Sequence, residues 1–192
     1  PDPAVPFSDF KAFPPGGIAP HVVTFGSSSA PAGSLELDVD GDGSVDFSGT
    51  TLDGLPFVYA QPGVYVATLH VRTADGQVFT FRTSVEVYDR ALLDARLRAV
   101  WTGFKDALRS GNVTQAVSFI HGNRRARWQE SLAQVGPDVL ATIDGVFTNI
   151  DLIGAGAGGA EYEMLREEGG QVVSYPVVFV VDSDGRWRLW QF

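Results

Sequence analysis

The chain has 192 residues, 44% of them apolar, with 23 acidic and 14 basic side chains and a formal net charge of −9. That balance argues against a nucleic-acid partner, whose affinity rests on cationic contacts to phosphate. There is no cysteine, which excludes disulfides, thiolate ligands and cysteine nucleophiles, and no apolar run approaches the length of a membrane-spanning helix.

The chain opens with "PDPAVPFSDF" and no methionine, which reads as a processed or trimmed N-terminus. "FPPGGIAP" and "FGSSSAPAGS" read as loops. Between and after them, "HVVTF" (21–25) and "SLELDV" (34–39) read as strands. The run 56–73 alternates, with Val64, Val66, Thr68 and His70 on one face and Tyr65, Ala67, Leu69 and Val71 on the other. "ADG" (74–76) predicts a hairpin turn, because Asp-Gly supplies positive φ. The next run, 77–89, alternates again. Short strands, frequent turns and no helical period predict a small antiparallel sandwich.

The period changes near residue 89. Leu93, Leu97, Val100, Phe104 and Leu108 recur at spacings of three and four, one face of an amphipathic helix. Asp89 is placed to cap its start and Gly111 to stop it. Two shorter helices are expected, "VTQAVSFI" capped by Asn112 and "RRARWQESLAQV" capped by Asn123, the second ended by Gly136-Pro137. "DVLATID" adds one or two turns. Four strand-like runs then follow, joined by "GAGAGG", "GG" and "SDG". Helices followed by an antiparallel meander form an α+β pattern. Charge shifts at the same place, from three basic and ten acidic residues in 1–88 to eleven and thirteen in 89–192. Two domains are therefore expected, 1–88 and 89–192.

The strongest chemical signal is "DVDGDGSVDF" (38–47), which fits D-x-D-x-D-G-x-x-D. A hard cation such as Ca2+ takes six to eight oxygens, and alternate residues of a glycine-hinged loop can turn carboxylates inward. Asp38, Asp40 and Asp42 would supply carboxylates, Ser44 its backbone carbonyl, and Asp46 a carboxylate directly or through water. The other reading is an Asp/Gly-rich turn without metal. The loop is similar to EF-hand and dockerin-type loops, but Gly49 stands at the twelfth position, where those carry a bidentate Glu. Asp53 is the candidate substitute.

Other signals are weaker. Gly154, Gly156 and Gly159 match G-x-G-x-x-G, with Asp182 further on, yet about ten residues remain after Asp182, too few for the βαβ units of a dinucleotide fold. A hairpin loop is expected there. His121 sits beside Arg124, Arg125 and Arg127; an anion or acid–base site is one reading, a connecting loop with a solvated basic face the expected one, since no carboxylate partner is near in sequence. Glu161 and Glu163 share one face of a strand, expected to be an exposed sheet face. Trp101, Phe104, Trp128, Tyr162, Tyr175, Phe179, Trp187 and Trp190 are expected to be mostly core, with a ligand cavity as the alternative.

The stretch "LELDVDGDGSVDF…PFVYAQPGVYVATLHVRTADG" resembles the polycystic-kidney-disease (PKD) repeat family of immunoglobulin-like sandwiches, through Asp38 to Gly43, Tyr59, Pro62 to Tyr65 and Gly76. Leu37 stands where members usually carry an aromatic. Residues 90–192 resemble the nuclear transport factor 2-like (NTF2-like) fold, a cone of helices on a curved sheet, in element order. The first resemblance implies extracellular or cell-surface spacers and adhesins of bacteria; the second family includes enzymes and non-catalytic modules alike. The resulting expectation is a non-catalytic, calcium-binding module of a bacterial secreted, cell-surface or periplasmic protein, with protein partners or neighbouring domains. The alternative is a small-molecule binder or enzyme using a cavity in the second domain.

Overall fold

The structure, a computed structural model, describes residues 10–27 and 33–192. Residues 1–9, most of the stretch read as a processed N-terminus, and residues 28–32 of the Gly/Ser/Pro stretch lie outside the described residues. The chain is rich in β-sheet, with some helix, and divides into two compact units, Pro1–Asp89 and Arg90–Phe192. Among the described residues no helix is long and apolar enough to cross a membrane.

Among the described residues the first unit contains eight strands: β1 (Phe10–Phe13), β2 (Gly16–Ile18), β3 (His21–Ser27), β4 (Gly33–Asp38), β5 (Phe47–Gly49), β6 (Pro56–Tyr59), β7 (Gly63–Thr73) and β8 (Val78–Tyr88). They form a three-stranded sheet, β1-β3-β6, and a five-stranded sheet, β2-β8-β7-β4-β5. The long alternating runs pair antiparallel from Gly63↔Val87 to Arg72↔Val78. Their turn closes at Gly76, whose φ of 86° requires glycine. Alternation decides which face is buried: Ala67, Leu69 and Val71 of β7 and Val85 and Val87 of β8 are inside. Phe10, Val23, Phe25 and Tyr59 from the other sheet share that core. Aromatic contacts join the layers, Phe47 to Phe57 at 6.4 Å and Tyr59 to Tyr65 at 4.7 Å between ring centres.

Three strands escape the sequence reading: β1, β2 and β5. "FPPGGIAP", read as loop, contains β2, which pairs parallel with β8. Its flanking prolines and glycines hide any period. Gly17 is there because a Cβ would lie 2.2 Å from the ring of His21. β5 is only three residues long and follows the acidic loop directly.

The second unit opens with α1 (Arg90–Arg109), followed by α2 (Val113–Ser118), α3 (Arg125–Ala133) and α4 (Pro137–Ala141), with 3-10 turns at Gly122–Arg124 and Ile143–Gly145. Four antiparallel strands follow: β9 (Ile150–Gly156), β10 (Gly159–Glu168), β11 (Gln171–Val181) and β12 (Trp187–Gln191), in the order β12-β11-β10-β9. α1 buries Leu93, Leu97, Trp101, Phe104 and Leu108. Trp101 takes the inward place expected for Val100, and its indole N–H donates to the Thr148 carbonyl at 2.9 Å. Asn112 caps α2, its side chain accepting from the N–H of Gln115. Asn123 does not cap α3. It lies inside the preceding 3-10 turn, and the side chain that accepts there belongs to His121. Inward residues of the sheet, among them Ile150, Tyr162, Met164, Val177, Phe179 and Leu189, are buried.

The chain of residues 90–192 alone should melt cooperatively in a circular-dichroism scan, because its apolar core is complete within that segment. Leu97→Ala should lower its stability by about 2–5 kcal/mol, as expected for truncating a fully buried leucine. A dye-binding, non-cooperative species from the unsubstituted segment would refute this.

Candidate functional site

The acidic loop leaves the sheet at the end of β4. Asp38 is its first residue and is 8% exposed. One carboxylate oxygen accepts from the Gly41 N–H at 2.7 Å, the other from the Gly43 N–H at 2.9 Å. Asp40 accepts from the N–H of Asp42 and Asp42 from that of Ser44, at 3.1 and 2.6 Å. Gly41 and Gly43 have φ of 82° and 89°, which side-chain-bearing residues rarely adopt. The chain thus winds tightly around Asp38, and one oxygen from each of Asp38, Asp40 and Asp42 lies within 4.8 Å of the others.

Asp46 stands apart from that triplet. It accepts the Val39 N–H at 2.7 Å and returns its own N–H to the Leu37 carbonyl at 2.9 Å, which closes the base of the loop. The N–H of Ser44 is committed to Asp42. Asp53 is exposed, its N–H bonded to Thr51, and it is not part of the triplet. Tyr59 enters the sequence reading only through the family resemblance, which does not foresee its part in the loop. This buried phenol donates to the Val39 carbonyl at 2.7 Å and so ties the loop to the core. Burial, then the charges of Asp40 and Asp46, raise its pKa well above the ordinary tyrosine value, so it remains a donor.

In the second unit His121 has a carboxylate partner after all. The segment after α2 bridges β12: the His121 N–H donates to the Leu189 carbonyl and the Leu189 N–H to that of Phe119, both at 2.9 Å. This brings His121 beside Asp182, sixty-one residues later, which is why spacing could not reveal it. His121 Nε2 lies 3.5 Å from Asp182 Oδ1. Asp182 also accepts from the N–H groups of Gly122 and Ser183 and from the Arg125 guanidinium. Those two backbone donors first, then His121 and Arg125, hold its carboxyl below the usual carboxylate range.

The pair is arranged as a clamp rather than as an acid–base site. His121 Nδ1 accepts from the Asn123 N–H at 3.3 Å, which leaves Nε2 to carry a proton toward Asp182. A general base needs a free lone pair toward substrate, and this ring's lone pair is taken.

The remaining candidates separate by burial. Trp101, Phe104, Tyr162, Phe179 and Trp187 are core. Tyr175 is half-buried and donates to Glu168 at 2.7 Å. Trp128 and Trp190 border a cleft with Arg124 and Arg127. Glu161 and Glu163 lie on the solvent-facing side of β10, where Glu163 accepts from Ser174 at 3.2 Å. "GAGAGG" is strand, turn and strand, with no helix after it to receive a phosphate.

No family model matches the chain, and no curated protein matches it. A solved structure described as a study of carbohydrate-binding modules from the β-sandwich superfamily is similar over 94% of this chain at 15% identity, with a TM-score of 0.37. This chain spans 56% of that one.

Asp182 favours folding only while it is ionised. Its contribution is complete above the ordinary aspartate pKa of about 3.9 and is lost as pH falls through its lower native value. Asp182→Asn should therefore melt lower than wild type at neutral pH, with the gap closing as the pH drops below about 4. His121→Ala should cost about 1–3 kcal/mol, since the ring's contacts with the Asn123 N–H and with Asp182 are both lost. Equal melting of wild type and Asp182→Asn at neutral pH would discount the clamp.

Proposed function

We propose that this chain is a non-catalytic calcium-binding module of a bacterial secreted or cell-surface protein. In this reading the first unit is an immunoglobulin-like sandwich of the PKD type and the second an NTF2-like cone. The observation that carries the proposal is the Asp38, Asp40 and Asp42 triplet, with an oxygen from each within 4.8 Å of the others on a loop hinged by Gly41 and Gly43.

Like charges at that separation repel by about 1 kcal/mol per pair even with water-like screening. A divalent cation turns that repulsion into attraction. Asp38 is already oriented by two backbone N–H groups, so little side-chain freedom is lost on binding. Asp42 and Asp40 are fixed in the same way by their own turns. The Ser44 carbonyl and Asp46, directly or through water, would add to the oxygen set. Gly49 leaves the bidentate place empty, so affinity should fall in the ~10⁻⁴–10⁻³ M range typical of extracellular modules. Such affinities suit a compartment where calcium is abundant. The role is mechanical: the cation stiffens a loop that Tyr59 fastens to the sandwich core. Neighbouring domains or protein partners of a longer surface protein would use that rigidity.

Millimolar CaCl2 should raise the melting temperature of the whole chain by several degrees relative to EGTA, since ligand at 10 to 100 times Kd adds about 1.4–2.7 kcal/mol. Asp40→Ala should abolish the shift. Tyr59→Phe should keep a shift but bind calcium several-fold more weakly by calorimetry, having released the Val39 carbonyl. Superimposable wild-type curves in calcium and EGTA would refute the proposal.

A further inference from the structure

The second unit holds a cleft of about 450 Å³, open to solvent, that the calcium reading does not use. Arg124, Arg127, Trp128 and Ser131 reach it from one side and Trp190 from β12. The first four recur at helical spacing, from the 3-10 turn into α3, so one face of that segment forms the wall. The volume suits a small molecule.

Its arginines differ from their neighbours. Arg125 is spent on the Ile120 carbonyl and Asp182. Arg186 and Arg188 pair with Asp184. Among the described residues no carboxylate pairs with Arg124 or Arg127. The Arg124 guanidinium instead lies 4.2 Å over the Trp190 ring. Stacking fixes its plane and leaves its N–H edge for an acceptor with two oxygens. The indoles are preset as well. Trp128 stacks on Phe192 at 4.4 Å, and Trp190 meets the His121 ring edge-on at 5.0 Å. A ligand would therefore find both the charges and the flat walls in place. The net charge of −9 does not cancel this. Asp182 and Asp184 are paired with Arg125, Arg186 and Arg188, Glu130 of α3 is exposed to solvent, and more distant charge is screened within about 10 Å at ordinary salt.

We propose that this cleft binds a small organic acid, one whose carboxylate meets Arg124 and Arg127 while a flat apolar face lies against the tryptophans. An aromatic acid and an acidic sugar both have that chemistry. Calorimetry on the whole chain distinguishes them, using 2-naphthoate and glucuronate, each beside its neutral counterpart, 2-naphthalenemethanol or glucose, and inorganic phosphate as an anion without a flat face. At least one acid should bind, with its neutral counterpart and phosphate about tenfold weaker or more. Arg124→Gln and Arg127→Gln should each weaken that acid about tenfold, while Arg96→Gln, an exposed substitution on α1 outside the cleft wall, should leave it unchanged. The melting temperature of each variant, measured in parallel, separates a lost contact from lost folding; Arg127 is exposed, so its variant tests the site even if Arg124→Gln is destabilised. The proposal is overturned if neither acid binds, if a neutral counterpart or phosphate binds as tightly as the acid, or if Arg127→Gln leaves the affinity unchanged.

Discussion

A loop that leaves a sheet takes its backbone N–H groups out of the ladder, and each must find another acceptor or stay in water. In both units one largely buried carboxylate meets that need. Asp38 accepts from Gly41 and Gly43 and bends the chain into a ring of aspartates. Asp182 accepts from Gly122 and Ser183 and holds the connection after α2 against the β11–β12 turn. Remove either charge and the backbone around it loses its template. The acidic triplet depends on the first of these clamps. The wall of the cleft, which starts at Asn123, depends on the second.

The two clamps differ in what they leave free. Around Asp38 the neighbours are carboxylates, and one oxygen from each of Asp38, Asp40 and Asp42 lies within 4.8 Å of the others. That concentrates negative charge on one loop. Around Asp182 the neighbours are His121 and Arg125, so the charge is matched within the protein. Among the described residues Arg124 and Arg127 have no such match, and they line the cleft. The chain therefore carries an acidic loop in one unit and an arginine-bearing cleft in the other. Each is governed by charges within a few ångströms, where screening is weakest.

Tyr59 and Trp101 show how polar atoms on large apolar residues link loop to core. Each buries its ring and gives its one hydrogen to a loop carbonyl, Val39 in one case and Thr148 in the other. Burial makes that bond hard to give up, because an unpaired donor inside the protein loses its hydration without recompense. The loops are held where they are by the same residues that fill the cores.

The sequence by itself determined the strands and helices whose period is long: β7 and β8 from strict alternation, α1 from its three-and-four spacing, and the hairpin at Asp75-Gly76. It also pointed to the acidic loop, because that loop is local. Asp38, Asp40 and Asp42 fold onto one another across five residues, and the glycines between them announce the turn. Only the tertiary structure decided the rest. β2 has no period and exists because β8 offers it an edge. Trp101 rather than Val100 faces inward because its indole finds the Thr148 carbonyl. His121 and Asp182 meet through the bridge of Ile120 to Leu189. The cleft joins residues of α3 to Trp190, more than fifty positions away. Local pattern encodes what a segment prefers, whereas a contact between distant segments is fixed only when the sheet closes and its edges choose their neighbours.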